Sequence, residues 1–363
     1  MKKIFIAIIF VLSFSTAPAF AATKKAATPP AKPAYKAVAP TGYAPIDWAK
    51  APGVASFFKT PTDNGALDFI TRINLRNNQI NFVVSPDVVV EPANPNPTPV
   101  DPAAAAAADD ISTFPNLSFK RLGAEASKII DPSIKFIWDA PFFNMGAVMS
   151  DLSMAVKYTI GSTTMVSSGT RSAADMALPR RMLLIDNKAG KAAIADFDSA
   201  TFTSPKSGDQ ALEGFSPVVP KADSAGGAAS RLFLGVSNDG QELNIYCSQS
   251  ATVKEASDAL AAAGVSVDHQ LEADGGGSAA CGYNLPGQFF VEPTRTLPLL
   301  MGAKTILLRG KVTGDSLNVR SGPGTKYPII TKLVKGAAVV AYGELSGWYR
   351  IGDGQWAIKS LIK

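Results

Sequence analysis

The segment from Arg231 to Gly264 constrains the fold of this chain more than any other. It reads as one apolar strand, RLFLGVS, then a turn at Asp239-Gly240, then a second strand, ELNIYC. Asp-Gly between two apolar runs is a β-hairpin signal. Thr252 and Glu255 form a capping box that opens a helix, and Gly264 would end it. The pattern therefore predicts an antiparallel hairpin followed by a helix.

A strand from Val265 to Asp274 is expected to follow that helix. Its odd positions are mostly apolar and its even positions are all polar. Successive side chains of a strand point to opposite faces, so one face of this strand is predicted to be polar. Glu272 and Asp274 would share that face, about 7 Å apart from the rise of a strand. Three glycines come next, and glycine lets backbone N–H groups approach an anion closely. A triple glycine by itself is more typical of a flexible turn.

The composition excludes several kinds of chemistry. The 363 residues include one His and two Cys, which are too few for His-rich zinc catalysis, zinc-finger ligand sets or iron–sulfur ligation. Without Lys2 and Lys3, which lie in a predicted leader, 33 Lys and Arg stand against 30 Asp and Glu, a net charge of +3. That charge is too mild to indicate a nucleic-acid partner. The candidate chemistry rests on carboxylates, arginines, hydroxyl groups and backbone.

The N-terminus has the three parts of a bacterial export signal. Two lysines precede an apolar run from Ile4 to Leu12, and Ala19-Phe20-Ala21 is a small-x-small cleavage pattern. We expect a signal peptide over residues 1–21 and a mature protein that is secreted or periplasmic in the cell envelope. No membrane span is expected after cleavage, because no later apolar run is long enough. An uncleaved N-terminal anchor is the alternative.

The remaining chain is predicted to divide into three parts. Residues 22–44 are rich in Ala, Lys and Pro and favour an extended linker. Residues 45–305 are assigned to one domain, in which the Pro-rich stretch at about 91–110 is a surface insertion. Residues 306–363 are assigned to a second, small domain with its own short strands and glycine turns.

Export also bears on the two cysteines. Cys247 and Cys281 would reach an oxidising compartment, where two cysteines of one domain are more often paired than free. We therefore expect a disulfide between them. The alternative is a pair of small, buried apolar side chains.

Four stretches between Ser230 and Gly302 resemble the phosphodiester glycosidase family in order and spacing. That family includes the N-acetylglucosamine-1-phosphodiester alpha-N-acetylglucosaminidase that acts on phosphodiester-linked mannose of lysosomal hydrolases. The stretches are SRLFLGVSNDGQELNIYC, TVKEASDALAAAG, LEADGGGSAACG and VEPTRTLPLLMG. Two positions depart from the family pattern. Asp139-Ala140-Pro141 stands where the family usually shows Asn-Gly or Asn-Ala-Gly, and Glu272 stands where it typically carries Asn.

The resemblance implies cleavage of a bond between an anomeric carbon and a phosphate oxygen. A phosphate leaving group has a low pKa, so a carboxylate nucleophile or base and a phosphate cradle matter more than protonation. Asp274 is the candidate catalytic carboxylate, and Glu272 is the candidate second acid or base. The candidate substrate and phosphate contacts are Arg231, Gly275, Gly276, Gly277, Ser278, Arg295 and Asp139. One of the two arginines could instead pair with Asp274 in a structural network.

No cofactor is required by this chemistry. The three carboxylates on the expected polar face, Asp268, Glu272 and Asp274, would also suit a divalent cation such as calcium.

The chain from Asp315 to Lys363 resembles bacterial SH3-type domains. The motifs are LNVRSGPG, GWY and the later Trp-Ala pair. The resemblance implies a small barrel that binds cell-wall peptidoglycan or its peptides. A barrel of about 50 residues needs large aromatic side chains in its core, and Trp348 and Trp356 are expected to fill that role at least partly. Tyr327 and Tyr349 are the candidate wall-binding aromatics, and core packing is the alternative role for them.

Together these observations predict an α+β catalytic domain with a mixed sheet, followed by a small all-β SH3-like barrel. The expected function is an exported hydrolase that cleaves a sugar-phosphate phosphodiester bond in envelope or extracellular glycan and is held at the cell wall. A non-catalytic phosphoglycan- or peptidoglycan-binding envelope protein is the alternative. A third hypothesis is a structural adaptor whose SH3-type domain carries the function.

Overall fold

A computed structural model describes most of the chain beyond the N-terminal segment. The described residues are 35–60, 66–84, 88–90, 117–120, 133–140, 142, 149–151, 154–160, 163–167, 177–218, 227–284, 289–294, 297 and 299–363. The predicted signal peptide at 1–21 and the predicted insertion at 91–110 lie outside them. None of the described helices is long and apolar enough to cross a membrane.

Strands make up most of the regular structure in the described residues. The first thirteen strands are β1 (Ala44–Ala51), β2 (Val54–Lys59), β3 (Asp68–Asn74), β4 (Asn78–Val84), β5 (Val88–Val90), β6 (Leu117–Lys120), β7 (Ile134–Asp139), β8 (Met149–Asp151), β9 (Val156–Ile160), β10 (Thr163–Ser167), β11 (Arg180–Asp186), β12 (Lys191–Asp196) and β13 (Gln210–Phe215). The other thirteen are β14 (Ala229–Val236), β15 (Glu242–Ala251), β16 (Gln270–Gly275), β17 (Cys281–Tyr283), β18 (Phe289–Val291), β19 (Leu299–Thr305), β20 (Leu308–Lys311), β21 (Ser316–Arg320), β22 (Ile329–Val334), β23 (Ala338–Ala341), β24 (Gly343–Leu345), β25 (Trp348–Gly352) and β26 (Gln355–Ile358). The α-helices are α1 (Ser199–Thr203) and α2 (Val253–Ala262), and short 3-10 turns lie at Val267–His269, Gly276–Ser278 and Lys359–Leu361.

Two sheets pack face to face in the larger part of the protein. The first has eleven strands, in the order β1-β2-β3-β15-β14-β16-β13-β11-β12, with β9 and β10 attached through β13. The second has five strands, in the order β18-β17-β7-β19-β4. The main core lies between them and contains apolar side chains of both, such as Ile245 and Leu234 of the first and Trp138 and Met301 of the second. A second core lies on the other face of the large sheet, beneath α2.

The local signals of the Arg231–Gly264 segment are confirmed. β14 and β15 pair as an antiparallel hairpin with Gly240 in the turn at φ 71°. Thr252 and Glu255 form the reciprocal capping box at the start of α2. Gly264, at φ 85°, follows the helix. Each of these features depends on neighbouring residues only, which is why the sequence predicts them well.

The predicted α+β class with a mixed sheet is wrong. Every strand pair among the described residues is antiparallel, and α1 and α2 are short beside the strands. The order β15, α2, β16 along the sequence favours a parallel pair of strands, because helices usually connect parallel strands. Here β14 lies between β15 and β16, so each adjacent pair is antiparallel although a helix joins the outer two. The sequence shows the connection but not which strand lies between its ends.

The C-terminal segment forms two open sheets and no closed barrel among its residues, all of which are described. One sheet has the order β22-β21-β26-β25-β24 and the other pairs β20 with β23. Closing a barrel requires the edge strands to pair with each other, whereas β22 pairs only with β21 and β24 only with β25. The predicted SH3-like barrel is therefore corrected to open, all-β sheets.

The C-terminal segment contacts the larger part at several points. The Arg309 Nη2 group donates to the Asn187 carbonyl at 2.8 Å. The Tyr342 hydroxyl bonds Gln79, and Lys304 Nζ lies 4.0 Å from the centre of the Tyr342 ring. At the other end of the described chain, Tyr43 packs in the core beneath α2.

The predicted disulfide is confirmed. Cys247 on β15 is bonded to Cys281 on β17, with the two Cα atoms 6.5 Å apart. Both residues are buried in the core between the two sheets. The bond therefore crosslinks the large sheet to the second sheet through the middle of the sandwich.

Removing this crosslink is expected to destabilise the protein. The Cys247→Ala/Cys281→Ala variant should lose about 3–4 kcal/mol of unfolding free energy, because the disulfide closes a loop with a sequence separation of 34. Urea unfolding with and without reductant would measure the loss. Two reactive thiols in the native protein secreted by its host would contradict the pairing.

Candidate functional site

A β-bulge separates the two carboxylates that the sequence places on one face. Along β14 and β16, Leu232 pairs with Asp274 while the next residue, Phe233, pairs with Glu272, so the register skips Ala273. Directly opposed residues of an antiparallel pair share a face, and neighbouring residues of one strand do not. Asp274 therefore projects towards the core between the sheets, where Leu232 lies, and Glu272 projects beneath α2, where Phe233 lies. The prediction of one shared polar face is wrong.

Glu272 is bound to Arg231 in a buried ion pair. The Arg231 Nη1 group donates to Glu272 Oε1 at 3.1 Å, with side chains 5% and 0% exposed. The same guanidinium donates to the Ala251 carbonyl and to the Gly227 carbonyl, both at 3.2 Å. Arg231 thus takes part in a buried structural network, in which its carboxylate partner is Glu272. The contacts of Arg231 join the start of β14 to the end of β15, just before α2.

Asp274 opens the glycine-rich turn. Its Oδ1 atom accepts a hydrogen bond from the Gly275 N–H at 2.6 Å, and the residue is buried. Gly276 has φ 64°, a conformation that L side chains rarely adopt. A Cβ at Gly275 would lie 3.3 Å from both Arg231 Nη1 and the Ser230 carbonyl. Glycine at positions 275 and 276 lets the chain turn tightly between Asp274 and the Arg231–Glu272 ion pair.

The later part of the glycine turn is held by the chain that follows β18. Gly276–Ser278 form a 3-10 turn, and the Gly277 carbonyl accepts the Thr294 N–H at 2.9 Å. Ser278 is buried. Arg295, the second predicted phosphate contact, lies outside the described residues. Thr294, the residue before Arg295 in the sequence, contacts the glycine turn.

Asp139 lies beside the same turn. It ends β7, and its N–H donates to the Ala280 carbonyl at 2.9 Å, while its Oδ1 atom accepts the Ala140 N–H at 2.8 Å. Three residues further on, the Phe142 N–H donates to the Ala273 carbonyl at 3.1 Å. The chain at Asp139 and at Phe142 therefore lies alongside the segment 273–280. Two buried carboxylates, Asp139 and Asp274, are carried by these two adjoining parts of the chain.

Two residues that contact the glycine turn or its flanking strand were not identified from the sequence. Phe142 and Thr294 contact the turn through backbone N–H groups, and residue type does not reveal which backbone groups will meet. Phe142 follows β7 and Thr294 follows β18, and both of these strands pair with β17 in the second sheet.

The expected acidic face for a cation is not assembled. Asp268 lies in the 3-10 turn before β16, where Arg181 Nη2 approaches its Oδ1 atom at 3.4 Å. Glu272 is engaged by Arg231, and Asp274 faces the other side of the sheet. Among the described residues, no group of three or more His, Cys, Asp and Glu side chains could hold a metal ion.

The aromatic residues of the C-terminal segment are arranged differently from the prediction. Tyr349 is 8% exposed and belongs to the core of this segment, so the core-packing alternative describes it. Tyr327 is half-buried, and its ring covers Gly322. Trp348 and Trp356, expected to fill the core at least partly, are half-buried. Small and aliphatic side chains fill most of that core.

Comparisons with known proteins identify the C-terminal segment and find solved structures similar to the larger part of the chain. Residues 315–363 match the bacterial SH3 domain family, which confirms the resemblance of that segment. A solved structure of the zebrafish N-acetylglucosamine-1-phosphodiester alpha-N-acetylglucosaminidase catalytic domain, auto-inhibited by its pro-peptide, is similar at 12% identity and a TM-score of 0.42. The similarity covers 70% of this chain and 84% of that chain. No curated protein matches this chain.

Proposed function

We propose that the protein is an exported hydrolase that cleaves a phosphodiester bond between a sugar and its aglycone in envelope or extracellular glycan. The observation that carries the proposal is the contact of the chain at residues 139 and 142 with the segment 273–280. This contact brings the backbone of Asp139 to Ala280, at the end of the glycine turn that the buried Asp274 opens, within motifs that resemble the phosphodiester glycosidases. The bacterial SH3 domain is proposed to hold the enzyme at the cell wall.

Asp274 is the proposed nucleophile or general base. A phosphate monoester leaves readily without protonation, so the main demand is a carboxylate that attacks or activates water at the anomeric carbon. The backbone N–H groups of the glycine turn would stabilise charge on the phosphate. Gly276 has a φ of 64°, which favours glycine, so the backbone itself fixes the geometry of the turn.

Asp139 replaces Glu272 as the proposed second carboxylate. Glu272 is committed to Arg231 on the opposite side of the large sheet, whereas Asp139 lies in the segment alongside the glycine turn. The proposal requires the Asp139 carboxylate to reach the substrate together with Asp274, because two carboxylates at one site can divide the roles of nucleophile and acid or base. We therefore propose that Arg231 supports the glycine turn from the α2 side of the large sheet.

The second candidate function is a non-catalytic phosphoglycan- or peptidoglycan-binding envelope protein. One observation favours it: Asp139 and Asp274 are 0% and 2% exposed, so solvent barely reaches either carboxylate. A binding protein could keep such aspartates for their support of the turn.

A panel of sugar phosphodiesters distinguishes the two candidates. The secreted protein is expected to release free sugar and a phosphate monoester from at least one member of the panel, measured by chromatography. Asp258→Asn on the exposed surface of α2 is the matched control and should hydrolyse the same substrate at the wild-type rate. Binding of panel members without any hydrolysis would reject the enzyme and support the binding protein.

A further inference from the structure

The positive charge of this protein is concentrated in its C-terminal segment. Residues 306–363 contain nine Lys and Arg against three Asp and Glu, which gives a net charge of +6. Residues 1–305 contain 26 against 27, which gives −1. The charge of the whole chain therefore understates how basic the C-terminal segment is.

One face of the five-stranded C-terminal sheet carries a row of two arginines and a tryptophan. Val319, Ala357 and Tyr349 pair across β21, β26 and β25, and all three are buried in the core of the segment. The next row, Arg320, Trp356 and Arg350, pairs in the same way. Since successive residues of a strand face opposite sides, this row lies on the outer face. Neighbouring strands are about 4.8 Å apart, so the two arginine backbones are separated by about 10 Å with Trp356 between them.

Two more residues extend this face. Lys332 on β22 is opposite Asn318, which is two residues before Arg320 on the same side of β21. Trp348 is two residues before Arg350 on β25 and is half-buried. We call the set of Arg320, Lys332, Trp348, Arg350 and Trp356 the basic aromatic face.

One carboxylate of the segment pairs with this face, since Asp353 lies 3.9 Å from Arg350. The other two form ion pairs outside the face, Lys335–Asp315 at 3.4 Å and Lys359–Glu344 at 2.8 Å. No carboxylate among the described residues pairs with Lys332 or Arg320. Arg320 Nη1 is held instead by the Thr325 and Tyr327 carbonyls at 3.0 and 2.8 Å, which fixes the guanidinium beside the sheet.

We propose that the basic aromatic face binds a glycan that carries phosphodiester groups. The cations would contact the phosphates, and the flat tryptophan rings would contact the sugar rings. The proposal rests on the proposed function, because such a polymer belongs to the same chemical class as the substrate. The SH3 domain would then bind the substrate polymer directly and raise its local concentration at the catalytic site.

The sheet geometry favours a charged glycan over an extended peptide. β21, β26 and β25 are each paired with a strand on both sides, so their backbone groups are used within the sheet. A peptide that adds to a sheet needs free backbone N–H and C=O groups. These three strands carry four of the five residues of the basic aromatic face and offer side chains only, which suits a polymer recognised through its phosphates and rings.

The test compares binding of the full-length protein to yeast phosphomannan and to the same mannan after hydrofluoric acid has cleaved its phosphodiester bonds. Wild-type protein should bind phosphomannan and lose most of that binding on the treated polymer. Lys332→Glu should weaken binding to phosphomannan at least about tenfold, because it places a like charge beside the phosphates. Lys311→Glu makes the same charge change on β20, outside the face, and should change the affinity less than about twofold.

Three results would overturn the proposal. Equal loss in Lys332→Glu and Lys311→Glu would show non-specific attraction to the net charge. Equal binding to treated and untreated mannan would remove the phosphate from recognition. Stronger competition by polyglutamate or by single-stranded DNA than by phosphomannan would identify an acidic peptide or a nucleic acid as the partner.

A parallel assay separates this proposal from the proposed function. Lys332→Glu should hydrolyse a small soluble sugar phosphodiester at the wild-type rate, since the face is not part of the catalytic site. If wild-type protein binds phosphomannan in this pattern but hydrolyses no phosphodiester, the proposed function fails and the binding face stands. If hydrolysis is intact but the binding pattern is absent, the binding face fails and the hydrolase stands.

Discussion

Asp274→Asn is expected to lower hydrolysis of sugar phosphodiesters by about 10³-fold or more, because it removes the charge of the proposed nucleophile or base. The fold should survive. Asn is nearly the same size, and its side-chain oxygen can still accept the Gly275 N–H that Asp274 Oδ1 accepts at 2.6 Å. The measurement is kcat and KM for a substrate of the wild-type protein, together with the urea midpoint of the variant.

Asp139→Asn and Asp258→Asn complete this series. Asp139→Asn tests the second carboxylate, and its loss of kcat should exceed any change in KM. Asp258→Asn removes the same charge from the exposed surface of α2 and should leave kcat unchanged. Wild-type turnover in Asp274→Asn would remove this residue from the mechanism and with it the proposed reaction.

The elements that sequence predicts correctly are those specified by local chemistry. Gly240 and Gly264 both adopt positive φ, and the Thr252–Glu255 capping box needs only residues three apart. The strands β3 and β4 lie on either side of Arg76. They belong to different sheets, however, since β3 pairs with β15 and β4 pairs with β19. Local signals predict the strands, but partner choice depends on residues far away in the chain.

The failures at the candidate site have one physical cause. Alternation of polar and apolar residues predicts faces only while the strand stays regular. The bulge at Ala273 breaks that regularity and turns Asp274 away from Glu272, and the 3-10 turn at Val267–His269 removes Asp268 from the strand. Neither irregularity has a composition signal of its own. Bulges are common next to active sites, where they redirect a side chain.

The C-terminal segment shows the same limit in a different form. Large aromatics are expected in the core of a small domain because they bury the most area. Of the candidates, Tyr349 is in the core while Trp348 and Trp356 are half-buried. Tyr349 and Trp356 are distinguished by strand register, which places Tyr349 opposite Ala357 and Trp356 opposite Arg350. Residue type alone does not carry that information.

Glu272→Ala is expected to destabilise the protein by about 3–5 kcal/mol, because it leaves the Arg231 guanidinium buried without its carboxylate. The Arg231 and Glu272 side chains are 5% and 0% exposed, so water cannot replace the lost partner easily. The Arg231→Leu/Glu272→Leu variant should regain much of the loss, since an apolar pair of similar volume removes the uncompensated charge. Urea unfolding of both variants and of the wild type measures the difference.

A substitution of Glu272 that destabilises the protein less separates the effect on stability from the effect on catalysis. Glu272→Gln keeps the shape of the side chain and a hydrogen-bond acceptor for Arg231, so enough protein should fold for kinetics. Because the bulge directs Glu272 away from Asp274, kcat of the folded Glu272→Gln protein should stay within about threefold of wild type, whereas loss of a true acid or base costs about 10²–10⁴-fold. A fall of that size would restore Glu272 as the second catalytic carboxylate and would displace Asp139 from that role.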